Sequence, residues 1–327
     1  MYYWWSCSRS CSTKKIMAAF QEKHTPVLYG ELTQSLRFFE TGKNIIVDCT
    51  LGLGWHASWI IEKLEKWDIF IGLDCDQDNL TSAKAHIEEG LKEKKNTPTT
   101  HFIHSNFGKL DEVLDTLKLS HITAIYADLW VSSVHFDTPE RGFSFRFDGP
   151  LDMRLDSSHG KTAAELINTL PYEKMAEIFR IYGDEVRAGF IAKKIIEART
   201  IKPIETTKEL ADIVTKAWRD AVPRIFQALR IAVNEEYSNL EKMLSVAHDK
   251  LASGGSISII AFHSGEDRIV KHFFREKSTP ERDPITGQDT ISGTIEVITK
   301  KPITPTDKEI QENPRSRSAL LRIAHKK

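Results

Sequence analysis

The sequence has little cysteine, no long apolar run and almost no net charge. Its four cysteines, Cys7, Cys11, Cys49 and Cys75, form no spaced framework, which excludes a disulfide scaffold and fits a reducing cytoplasm. No Cys or His pair completes Cys7 and Cys11 as a metal site, so no metal is expected. No stretch approaches the roughly 18 apolar residues of a membrane span, so no membrane partner is expected. A formal net charge of −1 gives no global field for nucleic acid, and any RNA contact must use local basic patches. There is no internal repeat. Residues 1–21 lack the ordered regions of a signal peptide. They read as a disordered or mis-assigned N-terminal tail, with Met17 an alternative start.

Strand and helix signals alternate from residue 31 to about 128. Residues 44–48, 69–74, 101–104 and 122–128 are short apolar runs, the last apolar almost throughout, as a parallel strand buried on both faces must be. Helical spacing separates them, giving β-α-β-α-β-α-β and hence a doubly wound α/β sheet. Residues 134–160 have no clear period. Helical patterns then run over 163–170, 172–182, 188–199 and 207–218, with Thr207 as a cap, and again over 224–251. Residues 256–262 return to strand, and 295–298 with 320–323 suggest a closing hairpin. The organisation expected is a sheet domain over 22–136 and 222–327, interrupted by a helical domain over 137–221.

The most informative stretch is Asp48-Cys49-Thr50-Leu51-Gly52-Leu53-Gly54-Trp55-His56. An apolar strand ends in an acid and a glycine turn follows at once. A second strand then ends in Asp74. Gly52 and Gly54 allow close backbone approach, and Asp74 is placed for a ribose diol. Gly52-x-Gly54-x-x-Ala57 also satisfies a dinucleotide fingerprint, which leaves a dehydrogenase as one reading. Asp48 argues against it, because an acid there faces a pyrophosphate unfavourably and suits an ammonium group. Ser105-Asn106-Phe107 after the third strand offers an adenine stack. Acid, glycine loop, acid and third-strand turn together suit S-adenosylmethionine, a cation without phosphate. The fourth strand ends at Asp128, where ligands bind in such sheets.

Several blocks then recur in order: His24-Thr25-Pro26-Val27-Leu28, the Asp48 loop, Asp128-Leu129-x-Val131-Ser132-Ser133, Arg141-Gly142-Phe143-Ser144-Phe145, Asp148 to Arg154, Phe226 to Asn234, Phe262-His263-Ser264-x-Glu266-Asp267-Arg268 and Asn313-Pro314-Arg315. Together they resemble the 16S ribosomal RNA cytosine-N4 methyltransferase family (RsmH/MraW), from about residue 22 onward. The resemblance implies a class I, Rossmann-like methyltransferase sheet with an inserted helical domain. It also implies S-adenosylmethionine as donor, and a cytidine of 16S ribosomal RNA in the decoding region of the small subunit as acceptor. Cofactor contacts carried over fall on Gly54, Trp55, His56, Asp74, Phe107, Asp128 and His135. A homodimer is an open possibility.

Trp55 and Trp130 stand where the family pattern has glycine, and Trp67 and Trp59 where a small residue is expected. An indole at 55 is expected to fill part of the ligand site. One account is glycine UGA codons translated as tryptophan; the other is a catalytically impaired RNA-binding ribosome-assembly factor. For the chemistry, a cytosine amine is a poor nucleophile and needs an acceptor for its hydrogens. Asp128 is the first candidate, and the carbonyls and hydroxyls of Leu129 to Ser133, Ser132 among them, are the second. His263 either lines the same crevice or is structural, bonded to Glu266 or Asp267. Phe143, Phe145 and Phe147 alternate with Arg141 and Arg146. They either stack on unpaired bases or pack the helical insertion; Arg154 is a further substrate-binding candidate.

Overall fold

The computed structural model describes residues 26–92, 94–131, 133–282 and 289–327. The N-terminal tail and Ser132 lie outside the described residues. The elements run in the order α1 (Tyr29–Ser35), β1 (Ile45–Asp48), α2 (Trp55–Lys63), β2 (Ile69–Asp74), α3 (Gln77–Leu91), β3 (Thr99–His104), α4 (Leu110–Thr116), β4 (Ile122–Asp128) and α5 (Ser133–Asp137). There follow α6 (Ala163–Thr169), α7 (Tyr172–Gly183), α8 (Ala188–Arg199), α9 (Thr207–Trp218), α10 (Val222–Asn234) and α11 (Glu236–Lys250). The chain closes with β5 (Leu251–Ala261), α12 (Ser264–Ser278), β6 (Glu281–Arg282), β7 (Asp289–Ile291), β8 (Ile295–Val297), α13 (Asp307–Glu312) and β9 (Leu320–Lys326). No described helix is long and apolar enough to cross a membrane.

The main sheet has the order β3-β2-β1-β4-β5-β9-β8. Strands β1 to β5 pair in parallel, and β9 runs antiparallel to both its neighbours. The strand order reverses between β1 and β4, which opens a ligand crevice at their carboxyl ends. The register sets the acids there: Asp48 lies opposite Gly72 and Tyr126, Asp74 opposite His104, and Asp128 opposite Ile260. Strands β1 and β2 are buried at every position, so both faces of the sheet are covered. One face carries Val47, Ile71 and Ile125 against Leu114, Leu244 and Phe274; the other carries Ile46, Phe70 and Tyr126 against Leu32, Ile60 and Ala83.

A third apolar cluster belongs to the helical insertion. It includes Leu151 and Met153 of the lead-in, Ile167, Phe179, Ile191 and Val214 of the helices, and also Val222, Ile225, Phe226 and Leu229. Helix α10 thus packs with the insertion, although the sequence pattern starts the second sheet segment at 222. The helical run expected over 224–251 is broken at Glu235, which takes φ 50° and separates α10 from α11. Strands β8 and β9 do pair, but as an antiparallel pair with α13 between them in sequence, not as a tight hairpin.

Candidate functional site

The crevice begins with the loop after β1. Backbone bonds fasten it to its neighbours: Cys49 N donates to Tyr126 O at 2.9 Å and Leu51 N to Leu73 O at 2.8 Å. Gly52 and Gly54 take φ of 54° and 81°, the left-handed region that glycine enters without strain. Gly54 is also packed from below, since a Cβ there would come within 3.0 Å of Ile87 Cδ1. Gly54 therefore shapes the turn and starts α2; it does not line the crevice.

The crevice encloses about 700 Å³ out to its open mouth and is lined by Gly52, Asp74, Asn79, Phe107, Asp128, Trp130, His135, Glu236 and Glu266, among others. Of the cofactor residues expected from sequence, Gly52, Asp74, Phe107, Asp128 and His135 meet here. Asp74 accepts from Gly52 N at 2.7 Å and from Asp76 N at 2.8 Å. Asp48 does not reach the crevice. It is buried beneath it, accepting from Tyr126 Oη at 2.6 Å and Thr50 N at 3.0 Å. Trp55 and His56 lie in a second crevice of about 630 Å³, lined also by Val27, Leu53, Asn313 and Arg315. Thr50, Gly52, Asp128 and Trp130 form the wall common to both.

The four tryptophans stand in different places. The Trp55 indole tilts onto His86, centroids 4.9 Å apart, and is absent from the lining of the first crevice. It narrows the second crevice only. Trp59 lies under Lys63 Nζ, 3.5 Å from its ring centroid, and Trp67 is exposed beside Lys66; neither touches either crevice. Trp130 does border both, held by Phe262 at 4.7 Å and Phe136 at 6.0 Å.

Burial sets the electrostatics. Asp48, Asp74 and Asp128 are each pushed up to about 7, chiefly by desolvation. Their mutual charges add to this: Asp74 on Asp48, and Asp48 and Glu266 on Asp128. His56 is held down at about 4 by burial, with Nε2 against Val27 O and Nδ1 3.8 Å from Asp128 Oδ2. Such a neutral imidazole leaves the carboxylates uncompensated. A crevice of this kind favours a cationic ligand.

Asp76 was not singled out from sequence, yet it anchors one wall. It caps α3, accepting from Asp78 N and Asn79 N, and its other oxygen takes His135 Nε2 at 2.7 Å and Arg141 Nη1 at 2.8 Å. Burial alone would raise its carboxyl, but the bonds from His135 and Arg141 hold it well below the usual carboxylate range. The sequence signal was an Asp immediately before a helical run. The imidazole of His135 is buried, and its Nδ1 has no partner among the described residues.

Several substrate-binding expectations change. Arg141 is an internal cross-link, with Nη2 donating to Arg154 O and Leu155 O. Phe143 is buried, its ring near His135 and Phe136. Arg154 pairs with Asp152 at 2.8 Å on both oxygens. Phe145 and Arg146 are exposed, as is Phe147. His263 does not line the crevice. It caps α12, with Nδ1 taking Glu266 N at 3.4 Å and Nε2 3.0 Å from Glu266 Oε1 but outside hydrogen-bond geometry. Glu266, which sequence reasoning used only as a partner for His263, faces the crevice instead. Glu236, His263 and Glu266 bring donor atoms within 4.8 Å. Arg230 already engages both oxygens of Glu236 at 2.9 Å, so the group reads as an ion-pair network.

Comparison with known proteins shows the family. A family profile described as the MraW methylase family matches residues 21–327. A protein named ribosomal RNA small subunit methyltransferase H from Clostridioides difficile is 40% identical over 315 residues, covering 93% of this chain and 98% of its own. A protein of the same name from Caldicellulosiruptor saccharolyticus is 41% identical over 317 residues, covering 93% and 99%. A solved rRNA methylase from Streptococcus thermophilus aligns over 91% of this chain and 93% of its own at 10% identity and a TM-score of 0.37.

Proposed function

This chain belongs to the MraW methylase family, and on that premise we propose that it methylates the exocyclic N4 amine of a cytidine in 16S ribosomal RNA of the small subunit, with S-adenosylmethionine as donor. The observation that carries the reading is the position of Asp128. It stands at the wall where two crevices meet, amid buried carboxylates that favour a cation.

The donor's two ends fit the two crevices. Asp74, Asn79 and Phe107 offer a diol acceptor, an amide and a ring for the nucleoside end, and the orphaned Nδ1 of His135 has room for a polar partner there. His56 and the Gly52 turn border the second crevice, where the aminoacyl end would lie. This explains why residues carried over from one family pattern divide between two cavities. When bound, the donor supplies an electrophilic methyl group on a sulfonium.

The chain's own groups do the rest. Asp128 Oδ1 is fixed by Trp130 N at 3.2 Å, and its backbone N donates to Thr50 Oγ1 at 2.7 Å. That holds the carboxylate rigid where an amine must approach. With a pKa lifted to about 7, it can accept a proton as the nitrogen becomes tetrahedral. Alignment of amine and methyl supplies much of the remaining rate. Exposed Phe145, Arg146 and Phe147, at the foot of the helical insertion, suit stacking on unpaired RNA. The insertion is assigned to substrate recognition and the protein to the cytoplasm. A homodimer is left to sedimentation analysis.

A binding-only assembly factor has no support: the relatives compared are methyltransferases by name. Calorimetric titration with donor, followed by methyl incorporation into small subunits purified from a strain lacking the activity, tests the reading. Donor binding with incorporation into a cytidine N4 is expected; absence of donor binding overturns it.

A further inference from the structure

On the reading above, the acceptor amine has two hydrogens and Asp128 can meet one of them. We propose that Glu266 is the second carboxylate at the acceptor end, hydrogen-bonded to the other amine hydrogen, and that His263 is its positioning residue.

Glu266 is buried to 3% exposure yet lines the crevice with Asp128. Its Oε2 accepts from Phe262 N at 2.8 Å. Its Oε1 lies against His263 outside hydrogen-bond geometry, so the local structure leaves that oxygen an acceptor with capacity to spare. A helix cap alone would need one oxygen and no crevice. Asp128 ends β4 and Glu266 lies in the first turn of the helix after β5, the adjacent parallel strand, and ligands bind at such strand tips. Both line the one crevice, so they present two acceptors to a single ligand there. A cytosine N4 amine has two donors, whereas a carbonyl or hydroxyl acceptor substrate could not use both carboxylates.

The step balances as follows. The nitrogen lone pair forms the new N–C bond, the electron pair of the C–S bond leaves with sulfur, and one N–H proton passes to Asp128. Glu266 holds the remaining N–H. The charged and titratable groups around Asp128 are Asp48, Glu266 and His56. Those around Glu266 are His263 and Asp128, with Arg230, Glu236 and Tyr237 completing the pocket.

The test is Glu266→Gln, which keeps the bond from Phe262 N and removes the charge. Its turnover on small subunits should fall on the order of a hundredfold, with donor affinity by calorimetry unchanged. The acid limb of the pH profile should move to lower pH, because one charge raising Asp128 is gone. His263→Asn, which keeps a helix cap, should lose less turnover and leave the limb in place. Glu266→Asp covers the case that the glutamine variant does not fold, and should retain the limb with reduced turnover. Wild-type turnover in Glu266→Gln, or a loss of donor affinity matching the loss of turnover, overturns the proposal. If the wild-type protein itself fails to methylate small subunits, the functional reading fails instead.

Discussion

The phenolic oxygen of Tyr126 donates to Asp48 Oδ2 at 2.6 Å, joining two adjacent strand tips below the crevice. Both residues are fully enclosed. Removing the hydroxyl with Tyr126→Phe leaves a buried carboxylate short of a donor, which costs about 1–3 kcal/mol. Asp48 titrates near 7, so the cost should be larger at pH 8, where it is charged, than at pH 6. Urea unfolding at the two pH values measures this.

Donor binding should depend on pH. Asp48, Asp74 and Asp128 have pKa values raised to about 7, so they are mostly protonated at pH 6 and mostly ionised at pH 8. A sulfonium donor should bind more tightly at pH 8, while the demethylated product, whose sulfur is neutral, should change less. Calorimetry with both ligands gives the ratio. Without ligand the sign reverses. The contribution of these three groups to stability is full below their unfolded values and lost as pH rises through about 7. His56, lowered to about 4, acts in the opposite sense and loses its contribution as pH falls through that value.

Asp76→Ala should be among the most damaging changes outside the crevice. It strands Arg141, whose Nη1 bond to Asp76 is 2.8 Å, and His135. Breaking one side of a buried pair costs about 3–5 kcal/mol. Thermal unfolding should show that loss, and hydrogen exchange should rise over residues 141–155.

Trp130→Gly should widen the passage between the two crevices and raise donor affinity. It also deletes the packing on Phe262 and Phe136, at a cost of about 3–5 kcal/mol in stability. Trp55→Gly should affect donor affinity less, because that indole rests on His86. Equal donor affinity in Trp130→Gly and the parent chain would refute the steric role.

The sheet was legible because β1, β2 and β4 are continuous apolar runs that end in acids, and an apolar run flanked by a glycine turn has few other meanings. Helices α6 to α9 were legible from their spacing, but their caps were not: α9 is capped by Thr206, one residue before the Thr207 expected, and Thr162 caps α6, each forming a capping box with Glu209 and Glu165 respectively. The break at Glu235 was not, because a non-glycine residue at φ 50° carries no sequence mark. Asp74, Phe107 and Asp128 line the crevice, and sequence could place them there because strand ends are positions that local pattern identifies. Asp76 and Glu266 were missed, since their roles depend on Arg141 and Phe262, distant or folded-back partners that spacing does not reveal. For Arg141 and Phe143 the residue types left RNA contact and internal packing both open, and only packing places them inside.

Asp76 has one more consequence. It caps α3 just beyond the β2 tip, while Arg141 opens the segment leading into the helices, so this carboxylate fastens that segment to the sheet edge. Losing that cross-link would leave an unneutralised buried charge beside the first crevice.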